Sequence, residues 1–172
     1  GHTPERFKND KDDSELSALD RYFGIARGLQ SSDENSCHCN TLNAAEMTKW
    51  FDTNYHYLVP EFTQDSDFSL HPETLLSQLD EALSQGHNAK PTIVGPLTYL
   101  WIGKSKDDSK PLDLLDKILP VYHQLYRLLA EKGVEWIQID EPILVLDLPE
   151  EWKAAFIKAY SAENKISKTK IR

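Results

Sequence analysis

The residues with the clearest capacity for chemistry close an apolar run. In Trp136-Ile137-Gln138-Ile139-Asp140-Glu141-Pro142 two acids stand side by side. Adjacent residues of a strand point to opposite faces, so Asp140 and Glu141 do not converge on one bond as an acid–base pair does. One of them is expected to face a cavity. There a carboxylate serves as a general acid or base, as an anchor for a substrate amine, or as a tie between neighbouring strands. A helix-cap or loop role is disfavoured, because Pro142 and the apolar Ile143-Leu144-Val145-Leu146 follow directly. The second candidate is Lys49, set among Met47, Trp50 and Phe51. A lysine that starts from a partly buried strand and reaches toward a cavity or domain edge suits a carboxylate-rich ligand. Its alternative is a surface lysine that lays its stem along apolar neighbours.

His56 lies between Tyr55 and Tyr57, with no second His or Cys at ligand spacing, so a hydrogen-bonded structural imidazole is favoured over a metal ligand. Both cysteines fall in Cys37-His38-Cys39, too close for an ordinary disulfide and without a second ligand pair to complete a four-coordinate zinc site. A reduced polar loop is expected there, and no metal. Gly95-Pro96-Leu97-Thr98 breaks an apolar run where glycine permits close approach of a ligand or a neighbouring strand. Neither common phosphate-loop spacing occurs, and no serine is flanked by glycines as a nucleophile would be, so nucleotide and serine hydrolysis lack support.

The elements that must position these residues alternate. Apolar, aromatic or β-branched runs at residues 47–51, 91–102 and 134–145 predict strands. Residues 72–85, with Leu75, Leu76, Leu79, Ala82 and Leu83 on one face, and 112–132, with Leu115, Ile118, Leu119, Tyr122, Leu125, Leu128 and Leu129, predict helices. Gly86 and Gly133 stand where left-handed caps would end them. A further helix is expected over 149–163, with acids at its start and Trp152, Ala155, Phe156 and Ala159 inward. Residues 1–45 read as a polar lead-in with one helix, over 14–28, that turns Leu16, Leu19, Tyr22, Phe23 and Ile25 to one side.

Strand alternating with helix implies an α/β fold with a parallel sheet. Over 46–172 the expectation is a fragment of a (β/α)8 TIM-type barrel with about three to four βα units, its functional side chains at the carboxyl ends of strands. An open three-layer α/β domain is the alternative that needs no further parts.

Composition narrows the partners. The chain has 172 residues and a formal charge of −9, from 28 acidic and 19 basic residues, which argues against a nucleic-acid partner. The longest nearly apolar run, residues 93–103, is about half of the roughly 20 residues a membrane-spanning helix needs. The opening Gly1-His2-Thr3-Pro4-Glu5-Arg6 lacks the features of a signal peptide, so a cytoplasmic setting is expected.

Three blocks carry a resemblance: Glu46-Met47-Thr48-Lys49-Trp50-Phe51-Asp52-Thr53-Asn54-Tyr55-His56-Tyr57, then Gly95-Pro96-Leu97-Thr98-Tyr99-Leu100-Trp101, then Glu135-Trp136-Ile137-Gln138-Ile139-Asp140-Glu141-Pro142. In this order and spacing the chain resembles the N-terminal domain of cobalamin-independent methionine synthase. The resemblance implies a parent enzyme that transfers a methyl group from 5-methyltetrahydropteroyltri-L-glutamate to L-homocysteine, forming L-methionine without cobalamin. It implies two (β/α)8 barrels, with zinc held in the C-terminal catalytic barrel. The family's zinc-ligand pattern has no counterpart in this chain, and Cys37 and Cys39 are not assigned to it. Lys49 matches a family lysine that contacts the triglutamate tail, and no catalytic residue is carried over. The Asp140-Glu141-Pro142 block resembles a catalytic-barrel segment that holds the homocysteine amine; here it is expected to be a remnant of duplication. The fragment is thus expected to bind the folate tail and to be inactive alone. Two alternatives compete: a stand-alone binding module without catalysis, and a barrel hydrolase that uses Asp140 or Glu141.

Overall fold

The computed structural model describes residues 4–7, 17–28, 43–161 and 170–171, so Cys37-His38-Cys39 lies outside the described residues. By its internal contacts the chain divides into two units, Thr3–Glu61 and Phe62–Arg172.

In the first unit a short 3-10 turn, Glu5–Phe7, precedes helix α1 (Ala18–Arg27). Ser17 starts α1 by accepting a hydrogen bond from the Asp20 amide at 3.1 Å, and Gly28, at φ 85°, ends it. Of the residues at helical spacing in α1, Leu19, Tyr22 and Phe23 are exposed and Ile25 is half-buried. Strands β1 (Met47–Lys49) and β2 (His56–Leu58) form an antiparallel hairpin. This corrects the expectation that residues 47–51 open a parallel βα series. The cause is local. Thr53 donates to the Trp50 carbonyl through its amide (3.1 Å) and its hydroxyl (2.6 Å), and that hydroxyl accepts from the Tyr55 amide (3.2 Å). The four residues 51–54 thereby fold the chain back on itself, and Trp50 and Tyr55 close the turn.

The second unit carries the predicted α/β pattern. Phe62, the last residue of β3 (Glu61–Phe62), accepts a 2.8 Å hydrogen bond from the Lys106 amide, just beyond β5 (Lys104–Ser105). Helix α2 (Glu73–Ser84) ends at Gly86 with φ 80°. The Gly86 amide donates to Leu83 O and the His87 amide to Ala82 O, the paired bonds of a glycine cap. Helix α4 (Leu115–Glu131) ends in the same way at Gly133, also at φ 80°, with Gly133 donating to Ala130 O and Val134 to Leu129 O. Both caps stand where the sequence predicts them. At the second cap Val134 and Leu129 also join the core, with Leu79, Tyr126 and Ile137.

The three-stranded sheet runs in the order β4 (Thr92–Val94), β6 (Trp136–Asp140), β7 (Lys170–Ile171), all parallel. The intervening chain holds α3 (Pro96–Trp101) and α4 between β4 and β6, and α5 (Glu150–Ser161) between β6 and β7. The described residues form no closed barrel. The strand expected over 91–102 stops at Val94, and α3 takes its second half. Gly95-Pro96 is the reason, because proline at the first helical position has a fixed φ and lacks only an amide hydrogen that would go unused there. Pro96, Leu97, Thr98 and Leu100 are all buried, so the segment has no polar stripe to betray a helix. The strand expected over 134–145 likewise ends at Asp140, and Pro142–Val145 forms a 3-10 turn with Ile143 buried and Val145 82% exposed. Helix α5 buries Trp152, Ala155 and Ala159 as predicted, and Trp152 meets Trp101 of α3 edge-on at 4.8 Å.

Candidate functional site

The β1–β2 hairpin presents Lys49. In the register Lys49 pairs with His56, and Met47 with Leu58. The Trp50 amide bonds to Tyr55 O at 2.7 Å and the Val59 amide to Glu46 O at 2.8 Å. Alternation along an antiparallel ladder then makes Lys49–His56 a non-hydrogen-bonded pair, the closer of the two kinds. Thr48 and Tyr57 belong to the opposite face, where the Tyr57 ring meets Trp50 edge-on at 5.7 Å, and Trp50 in turn meets Phe51 at 5.1 Å. Phe51 has φ 49°, a left-handed conformation costly for a bulky side chain and the only such non-glycine residue among those described. Packing against Trp50 holds it at the hairpin tip.

Lys49 is exposed, on a strand whose Thr48 is half-buried and beside half-buried Trp50 and Phe51. Among the described residues its ammonium makes no hydrogen bond or ion pair. His56 is exposed too and makes none, which corrects its expected role as a hydrogen-bonded structural imidazole. Arg6, in the same unit, is differently placed. Its guanidinium grips Glu61 in a fork, Nε to Oε2 at 2.8 Å and Nη2 to Oε1 at 2.7 Å, and also donates to the Asn43 and Ala44 carbonyls. Glu61 is 6% exposed, and its bond to Arg6 is the main influence holding the guanidinium in its charged form. Arg6 is therefore committed to structure, and Lys49 is not.

The strand-end acids diverge, as alternation requires. Asp140 is exposed and accepts from Gln138 Nε2 at 2.8 Å, while Lys90 Nζ donates to Gln138 Oε1 at 2.6 Å. Glu141 turns the other way. Its Oε1 accepts from the Leu97 amide at 3.1 Å and the Tyr160 hydroxyl at 2.5 Å, and its Oε2 accepts from the Thr98 amide at 2.6 Å. These amides belong to the first turn of α3, which has no side-chain cap of its own. Glu141 thus supplies the helix-cap role that its sequence context disfavoured, and both oxygens are engaged in structure. Gly95 makes room for it: a Cβ there would collide with the Glu141 carboxyl. The close approach predicted at Gly95 is made by a neighbouring strand's side chain.

A cleft of about 230 Å³ opens beside β4, lined by Phe68, Ile93, Tyr99, Ile118, Tyr122 and Leu125 among others. Burial pushes the Tyr99 phenol up to about 12. Tyr122 is raised as well, by burial first and then by the charges of Glu141 and Tyr99, and its hydroxyl donates to Val94 O at 2.8 Å. The rest of the lining is mostly apolar, and it also includes Ser69 and His71, whose Oγ and Nε2 are hydrogen-bonded at 3.1 Å. Sequence periodicity gave Tyr122 a core role, and nothing in it distinguished Tyr99.

Among the described residues no group of three or more His, Cys, Asp or Glu side chains is arranged to hold a metal ion. None of their helices is long and apolar enough to cross a membrane.

A parallel α/β unit preceded in sequence by an aromatic hairpin gives the fold class, and comparison with known families gives the family. The family described as "Cobalamin-independent synthase, N-terminal domain" matches residues 1–171, and the chain belongs to it. This family is the N-terminal part of cobalamin-independent methionine synthase, a methyltransferase.

Proposed function

We propose that this chain is part of a methyltransferase that moves the methyl group of 5-methyltetrahydropteroyltri-L-glutamate to L-homocysteine, and that its own share is to hold the glutamate tail of the folate. The observation that carries this reading is Lys49, an exposed ammonium on a firmly built hairpin with no hydrogen-bonding or ionic partner among the described residues. Several carboxylates in a row call for cations that are not already spent, and Arg6 is spent on Glu61. The engagement of both Glu141 oxygens in capping α3 supports leaving that acid out of the chemistry.

The β4–β6–β7 sheet is taken as an arc of a (β/α)8 barrel. Its strands follow one another in sequence order with helices between them, and Thr92, Val94, Trp136 and Asp140 are exposed on one face, the side a closed barrel would enclose. Homocysteine and the zinc that favours its thiolate are assigned to a C-terminal catalytic barrel of the parent chain, and no step is given to a metal on this one. The test is methyl transfer by the chain alone. With triglutamyl methylfolate, homocysteine and zinc supplied, the isolated chain forms no methionine while the full-length enzyme does; turnover by the isolated chain overturns the division of labour.

A further inference from the structure

Resting on the tail-binding role of Lys49, we infer that His56 is a second carboxylate-binding residue of the same site, so that the hairpin grips the polyglutamate tail with a cross-strand pair of hydrogen-bond donors. Lys49 and His56 are direct partners in the β1–β2 register, and the ladder makes theirs the closer kind of pair. Side chains opposite each other in such a pair leave the sheet on the same face with Cβ atoms about 4.5–5.5 Å apart. Both are exposed, and neither has a hydrogen-bonding or ionic partner among the described residues. Met47 and Leu58, the other directly opposed pair on that face, are apolar, so Lys49 and His56 are its only ionisable strand residues. Glu46 precedes β1 and Asp52 lies in the turn; both are exposed.

Lysine supplies a compact ammonium with three donors, and the imidazole opposite it supplies a ring N–H donor, so a carboxylate between them is met from both strands. His56 therefore adds affinity that depends on the number of glutamates.

The experiment compares the full-length enzyme with its Lys49→Ala, His56→Ala and His56→Arg variants, measuring Kd for triglutamyl and monoglutamyl methylfolate. Expected for His56→Ala is a loss of about fivefold or more in the triglutamyl preference, with monoglutamyl affinity unchanged. His56→Arg keeps the preference. If His56→Ala keeps the wild-type preference, or loses affinity for both folates alike, the inference is overturned. Lys49→Ala separates the two claims: a lost preference there with an intact one in His56→Ala leaves the Lys49 reading standing and removes only His56.

Discussion

The Glu141 carboxylate fills the space that a side chain at residue 95 would need, and from there it caps helix α3 through the Leu97 and Thr98 amides. One residue's lack of a Cβ thus fixes the junction between β4, β6 and α3. Gly95→Ala is expected to destabilise the protein by about 1–3 kcal/mol, the usual cost of forcing an extra carbon into a packed site. Urea unfolding of Gly95→Ala, Glu141→Ala and the double variant checks it. The double variant should be more stable than the sum of the single losses predicts, because removing the carboxylate also removes the collision. Simple additivity would deny the contact.

Tyr160 on α5 donates to the same carboxylate at 2.5 Å. Tyr160→Phe should cost about 1.5–3 kcal/mol, as for a hydrogen bond to a charged group. The lower end is expected because the site is only partly buried. A midpoint within error of wild type would show that the hydroxyl contributes nothing.

Arg6 and Glu61 tie the Glu5–Phe7 turn to the end of the hairpin segment. Arg6→Ala leaves a carboxylate that is 6% exposed without its fork. Removing one partner of a fully buried pair costs about 3–5 kcal/mol, and the Arg6 side chain is 32% exposed, so about 1–3 kcal/mol is expected. Arg6→Lys should recover only part of the loss, since a lysine cannot reproduce the bidentate grip. Full rescue by lysine would mean that charge alone matters.

His123 on α4 has its pKa lowered from 6.5, chiefly by burial and secondly by the charge of Arg127. As pH falls, the unfolded chain takes up the proton first, near 6.5, while the folded chain resists it. Stability contributed by the neutral ring is therefore present above that value and is lost as pH drops below it. Wild type should lose more stability between pH 7.5 and 5.5 than His123→Gln does, as read from urea midpoints at the two pH values. Equal slopes would contradict the assignment.

Much of the second unit is legible from periodicity. The faces of α2 and α4, their closure at Gly86 and Gly133, and the parallel alternation all follow from spacing that one buried side imposes. What sequence hides is packing on most sides of a segment: four of the six residues of α3 are buried and none is fully exposed, so its apolar run passes for a strand. Glu141 lies 43 residues from the helix it caps, and local context cannot disclose that partnership. Lys49 was conspicuous as a cation among aromatics, but the hairpin that sets it opposite His56 depends on the Thr53 turn bonds.

The central claim is that Lys49 holds the glutamate tail, and calorimetric titration of triglutamyl methylfolate into the full-length enzyme and its Lys49→Ala variant tests it most directly. The account predicts about a tenfold weaker Kd for the variant, equivalent to about 1.4 kcal/mol, with monoglutamyl affinity little changed. Equal triglutamyl affinity in the two proteins would contradict it.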